Sequence, residues 1–182
     1  MIGIREDIKM DKIEVKNTNL EKVKIIEPTT IFEDHRGVYN EIYNQKLFKS
    51  VNLDKSFKSD CFIYSYKNVL RGIHGDLATW KLVTCLHGRF YIAIVDCDKE
   101  SKQFGEYFSV TLSETNKKII LVPPKHGIGH QILSKTAIYF YKQTEYYEDK
   151  QEFVYRWDNK IFNINWPLNN PILSDKDKVQ NE

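Results

Sequence analysis

The stretch KLVTCLHGRFYIAIVD, residues 81 to 96, decides how the chain is read. Each half is short, apolar and rich in β-branched or aromatic residues, which suits a strand better than a helix. His87-Gly88 between the halves allows a tight turn. KLVTCLH and RFYIAIVD therefore read as neighbouring strands. Outward from this pair the pattern repeats as CFIYSY, EYFSVTL, KKIILVPP, IGHQILS, TAIYFYKQT and EFVYRW. Many short strands at such spacing argue for an all-β sandwich or barrel, with jelly-roll closure protecting the edges.

The flanks are less regular. Residues 1–12 are polar and read as a loose extension. Val23 to Ile26 reads as a strand, EPTTIFEDHRG as a loop, and VYNEIYN (38–44) as a further strand. Asn44 to Phe57 carries the best short-helix pattern, with Leu47, Phe48 and Val51 apolar. From Asn159 onward, proline breaks predict an irregular wrap. One domain spanning residues 1–182, all β with short peripheral helices, is the expectation.

Composition narrows the function. The 182 residues include 27 basic and 25 acidic side chains, for a formal charge of +2, without a basic block. Nucleic acid is not an expected partner. Cys61, Cys85 and Cys97 are odd in number and lack CxxC spacing, so reduced thiols in a cytoplasmic protein are expected. The N-terminal residues lack the apolar segment of a signal peptide, and no run is long enough to span a membrane.

Chemistry-bearing residues gather in RGIHGDLATWKL, 71 to 82, where Arg71, His74 and Lys81 stand close together. A regular strand from Leu70 would place Leu70, Gly72 and His74 on one face, with Arg71 and Ile73 on the other. Lys81 shares a face with Val83 and Cys85, and Tyr141 shares one with Ala137 and Tyr139. The close histidine pair, His126 and His130, flanks two glycines after Pro-Pro. That context disfavours a helix and separates the pair along an extended chain, so no metal is expected. No GxSxG pattern occurs, and a nucleophilic cysteine lacks support. Each residue taken singly has a structural explanation; their combination carries the reading.

VLRGIH, WKLV, FGEYFSVTLSETN, LVPP, the ILS element, FYKQTEYY, RWDN, INWP and ILSDKD occur in an order that resembles the nucleotide-sugar 3,5-epimerase family. The best-known members act on dTDP-4-dehydrorhamnose. The likeness runs from Val23 to Asp177. It implies a metal-free, cofactor-independent cupin-type jelly roll, a double-stranded β-helix. It also implies a homodimer in which an N-terminal strand region is shared between subunits.

The resemblance assigns His74 as general base, Asp177 as its dyad carboxylate and Tyr141 as the acid. Lys81 and Arg71 would offset charge on the substrate, and Lys176 would contact it. Tyr147 would stack near the nucleotide, with Arg36, Glu41, Ser59, Asp60, Cys61 and Glu152 as further contacts. A C4 ketone acidifies the hydrogens at C3 and C5, because the carbanion delocalises as an enolate. A neutral imidazole can remove such a proton, and a nearby cation can stabilise the oxyanion. Delivery of a proton to the opposite face then inverts the centre.

The chain departs from the family at several points. Gly75-Asp76 follows His74, the loop before Lys81 is short, and Ile128 occupies the position of a second histidine. His130 is the candidate to replace that histidine, ahead of His126. Ser59-Asp60-Cys61 replaces the usual base-contacting segment. The segments HGDLATWKL and YKQT resemble the branch acting on GDP-linked 4-keto heptoses for surface polysaccharide (capsule or LPS). The dTDP-sugar enzyme is the alternative. A 3,4-ketoisomerase, a non-catalytic sugar-binding cupin and a metal-dependent cupin are further alternatives.

Overall fold

The computed structural model describes residues 13–27, 31–148 and 151–178. The expected N-terminal extension lies outside them. The elements are β1 Glu14–Asn17, β2 Lys24–Glu27, β3 Ile31–Asp34, β4 Gly37–Asn40, α1 Gln45–Ser50, β5 Ser59–Tyr66, β6 Leu70–Asp76 and β7 Lys81–His87. They continue as β8 Arg89–Asp96, β9 Tyr107–Ser113, β10 Ile119–Val122, β11 His126–Ile132, β12 Thr136–Gln143 and β13 Glu152–Val154, before a 3-10 turn at Lys176–Lys178.

One sheet runs β1-β2-β10-β7-β12-β5 and the other β13-β6-β11-β8-β9. Strands β5, β7, β10 and β12 thus face β6, β8, β9 and β11, the jelly-roll arrangement expected from the strand spacing. Alternation decides which side chains meet between the sheets. Val83, Cys85, Ala137 and Tyr139 from the first sheet pack with Phe90, Ile92, Ile94 and Ile132 from the second. The reverse face of the first sheet buries Leu82, Ile119 and Leu121 against Ile26 and Phe48. The reverse face of the second is covered by Phe153, Tyr155, Phe162, Ile164 and Trp166, which pack on Ile73 and Val95.

Two local expectations are corrected. The helix stops at Ser50 rather than Phe57: Asn44 caps its start by accepting from the Lys46 and Leu47 N–H groups, and Asn52 follows it with φ at +62°. Part of the stretch read as loop, Ile31–Asp34, is a strand that pairs with Gly37–Asn40. All four β3 side chains are exposed, so the strand has no apolar alternation to reveal it, whereas β4 begins the stretch read as strand.

The face assignment for β6 is also corrected. Arg71 pairs with His130 and His74 with Ile128, so three steps along β6 match two along β11. The bulge adds one residue and turns Arg71 and His74 toward the same cleft. At its centre Gly72 has φ at +123°, and an added Cβ would lie 2.4 Å from the Gly129 Cα. Only glycine fits there.

Candidate active site

The bulge in β6 opens a cleft of about 190 Å³ between the sheets. One wall carries Arg71 and His74 from β6, with Ile128 and His130 from β11. The other carries Lys81 from β7 and Tyr139, Tyr141 and Gln143 from β12. His74 and Tyr141 therefore stand on opposing sheets.

Behind His74 lies Asp177, only 1% exposed. Its Oδ1 is 2.9 Å from His74 Nε2 and accepts the Gly72 N–H at 3.0 Å. The histidine contact is at ion-pair distance but lies off the line of a well-aligned hydrogen bond. Oδ2 accepts the Ser174 hydroxyl at 2.5 Å. Burial opposes ionisation of Asp177, yet contacts from His74, the Gly72 amide and Ser174 together hold its carboxyl well below the usual carboxylate range. The 3-10 turn thus supplies a carboxylate directly beneath the strand bulge.

The opposite wall is tuned differently. Burial pushes the Tyr141 phenol up to about 12, with contributions from Cys61 and Glu152, so it keeps its proton. Burial lowers the Lys81 ammonium, while Asp76 and Glu152 act in the other direction. Its Nζ lies 5.8 Å from the centre of the Tyr141 ring. Arg71 Nε reaches Ser65 Oγ at 3.4 Å.

His130 is 4% exposed and stacks on Tyr139, with ring centres 4.3 Å apart and planes 16° from parallel. Burial first, then the charges of Arg71 and His74, push it down to about 3, so it is neutral. At the mouth, Glu152 accepts from Lys176 at 2.6 Å and from the Tyr147 hydroxyl at 3.3 Å.

Not every candidate joins this group. Ser59 and Cys61 pair with Gln143 and Tyr141 and share their inward face. Asp60 alternates outward and pairs with Lys142 at 2.5 Å, so the expected three-residue contact is split. Arg36 lies on the exposed β3–β4 hairpin, bound to Asp34 at 2.6 Å, while Glu41 at the hairpin's foot accepts from Asn44. His126 lines a separate groove of about 600 Å³, whose Asp96 and Asp98 are engaged by Ser101 and Lys125. Among the described residues, no three His, Cys, Asp or Glu side chains converge to hold a metal ion.

Sequence reading missed Tyr139, Gln143 and Ile63 as cleft residues. The signal was present for two of them, since Tyr139 and Gln143 lie two positions either side of Tyr141 on an alternating strand. Ser174 was missed as the anchor of Asp177, although it lies within the same C-terminal motif.

The sequence profile of the dTDP-4-dehydrorhamnose 3,5-epimerase family matches residues 17–182. The enzyme of that name from Shigella flexneri is 40% identical over 167 residues, covering 90% of this chain and 92% of its own. The one from Escherichia coli K12 is 37% identical over 169 residues, covering 90% and 91%. Among solved structures, dTDP-4-dehydrorhamnose 3,5-epimerase from Bacillus anthracis, with TDP and pyrophosphate bound, superposes with a TM-score of 0.88 at 34% identity, covering 93% of this chain and 98% of that one. A 3,5-epimerase from Legionella pneumophila in complex with dTDP-4-keto-L-rhamnose gives 0.86 at 34% identity, covering 91% and 89%. These relatives are dTDP-sugar enzymes and give no support to the GDP-heptose branch expected from the sequence. With the match spanning nearly the whole chain, the protein belongs to the dTDP-4-dehydrorhamnose 3,5-epimerase family.

Proposed function

We propose that the protein inverts C3, C5 or both in a dTDP-linked 4-keto-6-deoxy sugar, with His74 as base and Tyr141 as acid. The observation that carries this reading is the pairing of an Asp177-backed histidine on one wall with a protonated tyrosine on the other. His74 takes the proton from carbon, and the electron pair moves to the C4 oxygen as an enolate. Asp177 holds the imidazole and stabilises its cationic form. Lys81, with Arg71 beside it, offsets the oxyanion, a term that grows in a site closed to water. Tyr141 then protonates the other face of the carbon, and the enolate returns to ketone. Proton exchange with solvent then resets His74 and Tyr141, and no redox step occurs, so the chemistry calls for no cofactor.

Glu152, Lys176 and Tyr147 at the mouth are suited to the nucleotide end of the substrate. The hairpin that carries Arg36 exposes Phe32 and Tyr39, while the outer face of edge strand β5 exposes Phe62, Tyr64 and Tyr66. These apolar surfaces support a homodimer in which the hairpin of one subunit completes the nucleotide site of the other.

A second reading, a GDP-linked 4-keto heptose, rests on the resemblance of the HGDLATWKL and YKQT segments to that branch. It gains nothing from Asp60, one of the expected nucleotide contacts, which turns toward Lys142. Calorimetry with dTDP and GDP separates the two. Tighter binding of dTDP is expected; tighter binding of GDP would transfer the assignment to the second reading.

A further inference from the structure

Among the described cleft residues, His74 Nε2 and His130 Nε2 are both buried without a hydrogen bond, but His74 has Asp177 at 2.9 Å, whereas His130 has no ion-pair partner. His130 Nε2 is buried and makes no hydrogen bond, while the rest of the ring is fixed by stacking on Tyr139 and contact with Phe90. A buried imidazole nitrogen left unpaired is costly, so a ligand atom that reaches it is rewarded strongly. The same strand carries an apolar residue one step nearer the mouth, at Ile128, beside His74.

Depth constrains what the nitrogen meets. His130 is 4% exposed, whereas Tyr147 at the mouth is 66% exposed. A cleft of about 190 Å³ suits a sugar ring and leaves the nucleotide outside. The ring edge opposite the nucleotide linkage therefore points inward. Lys81 and Arg71 already suit the C4 oxygen, which accepts hydrogen bonds but cannot donate them. A neutral imidazole nitrogen can pair with a hydroxyl as donor or acceptor, depending on its tautomer.

We propose that His130 is a specificity-determining residue that hydrogen-bonds a sugar hydroxyl at the inner edge of the ring. That hydroxyl is carried either on C3 or on the arm attached to C5. The assignment rests on the orientation of the nucleotide sugar proposed above and names a feature of its substrate. It predicts discrimination against substrates lacking the hydroxyl, by a group that takes no part in moving the proton.

His130→Phe tests it, because phenylalanine retains a ring for the Tyr139 stack and removes both nitrogens. Binding is measured by calorimetry with free dTDP and GDP and with matched nucleotide-linked 4-keto sugars. The sugars either carry or lack the C3 hydroxyl, and carry either a methyl or a hydroxylated arm at C5. The variant should bind the preferred sugar about 10- to 100-fold more weakly, bind the analogue lacking the hydroxyl as the wild type does, and bind free nucleotide normally. The analogue that abolishes the difference identifies which hydroxyl is read. Equal loss across all sugars, loss extending to free nucleotide, or no loss would overturn the proposal. Should His130→Phe fail to fold, the wild type alone must still discriminate at least about tenfold between the analogues, and its failure to do so would equally overturn it. Deuterium exchange at C3 and C5 by the wild type is scored separately, so failure of the epimerase assignment is distinguishable from failure of the His130 contact.

Discussion

Asp177 and His130 both lie in low-dielectric surroundings, but their protonation states contribute to stability in different pH windows. Asp177 ionises more readily in the folded chain than when unfolded, where an aspartate titrates near about 3.9. Its ionised form therefore stabilises the fold above that value, and the contribution is lost as pH falls below it. His130 titrates at about 3 in the folded state, whereas an unfolded histidine takes up a proton near about 6.5. Between those values the unfolded chain binds the extra proton, so stability falls as pH drops through the window. The slope from this single group is at most about 1.4 kcal/mol per pH unit. Thermal melts from pH 7 to 4 should show a steady decline that is shallower in His130→Phe. An unchanged slope in the variant would show that His130 is not held neutral.

The catalytic assignments make sharper predictions at the same scale. His74→Asn should lower turnover by about 10²- to 10⁴-fold while nucleotide binding persists. Near-normal turnover would remove His74 from the mechanism. Tyr141→Phe should still exchange substrate hydrogen with solvent but lose inversion, since proton removal survives while delivery from the other wall does not. If exchange and inversion disappear together, Tyr141 serves only to position the substrate.

At the scale of elements, β6 joins fold to function. A regular strand would separate Arg71 from His74, and the bulge around Gly72 brings them to one cleft while offering the Gly72 N–H to Asp177. Gly72→Ala should destabilise the protein by roughly 2–4 kcal/mol, because both its positive φ and the 2.4 Å approach to Gly129 exclude a side chain. Chemical denaturation measures this directly, and a loss under about 0.5 kcal/mol would contradict it. The strands themselves were legible because they are short, nearly continuous apolar runs rich in β-branched and aromatic residues, as in β7, β8 and β12. The bulge was not legible, because a two-residue period contains no mark of an inserted residue. Strand β3 was missed for a related reason: with no buried face it has no pattern, whereas its partner β4 lies within the stretch read as strand. His74, Asp177 and Tyr141 were nominated through the order of motifs, and no spacing rule links positions 74 and 177 until the 3-10 turn docks beneath β6.

At the scale of the molecule, the jelly roll places His74 and Tyr141, the proposed base and acid, on separate sheets, so that a sugar between them is met on both faces. Its exposed apolar surfaces also bear on assembly. Arg36→Ala, on the hairpin, should weaken nucleotide-sugar binding about tenfold or more while proton exchange at saturation is retained, consistent with its guanidinium serving as an anion contact. Light scattering should report a dimer; a fully active monomer would contradict the shared nucleotide site. Dialysis against EDTA should leave activity intact, whereas chelator-sensitive turnover with stoichiometric metal would redirect attention to His126 and the neighbouring groove.

The central claim is that His74 and Tyr141 exchange protons with a 4-keto sugar across the cleft. Its most direct test is incubation with a dTDP-linked 4-keto-6-deoxy hexose in deuterated water, followed by NMR of the sugar carbons. Deuterium at C3, C5 or both, accompanied by inversion at the labelled centre and abolished in His74→Asn, is the predicted result. Inversion without deuterium incorporation, or incorporation undiminished in His74→Asn, would contradict it.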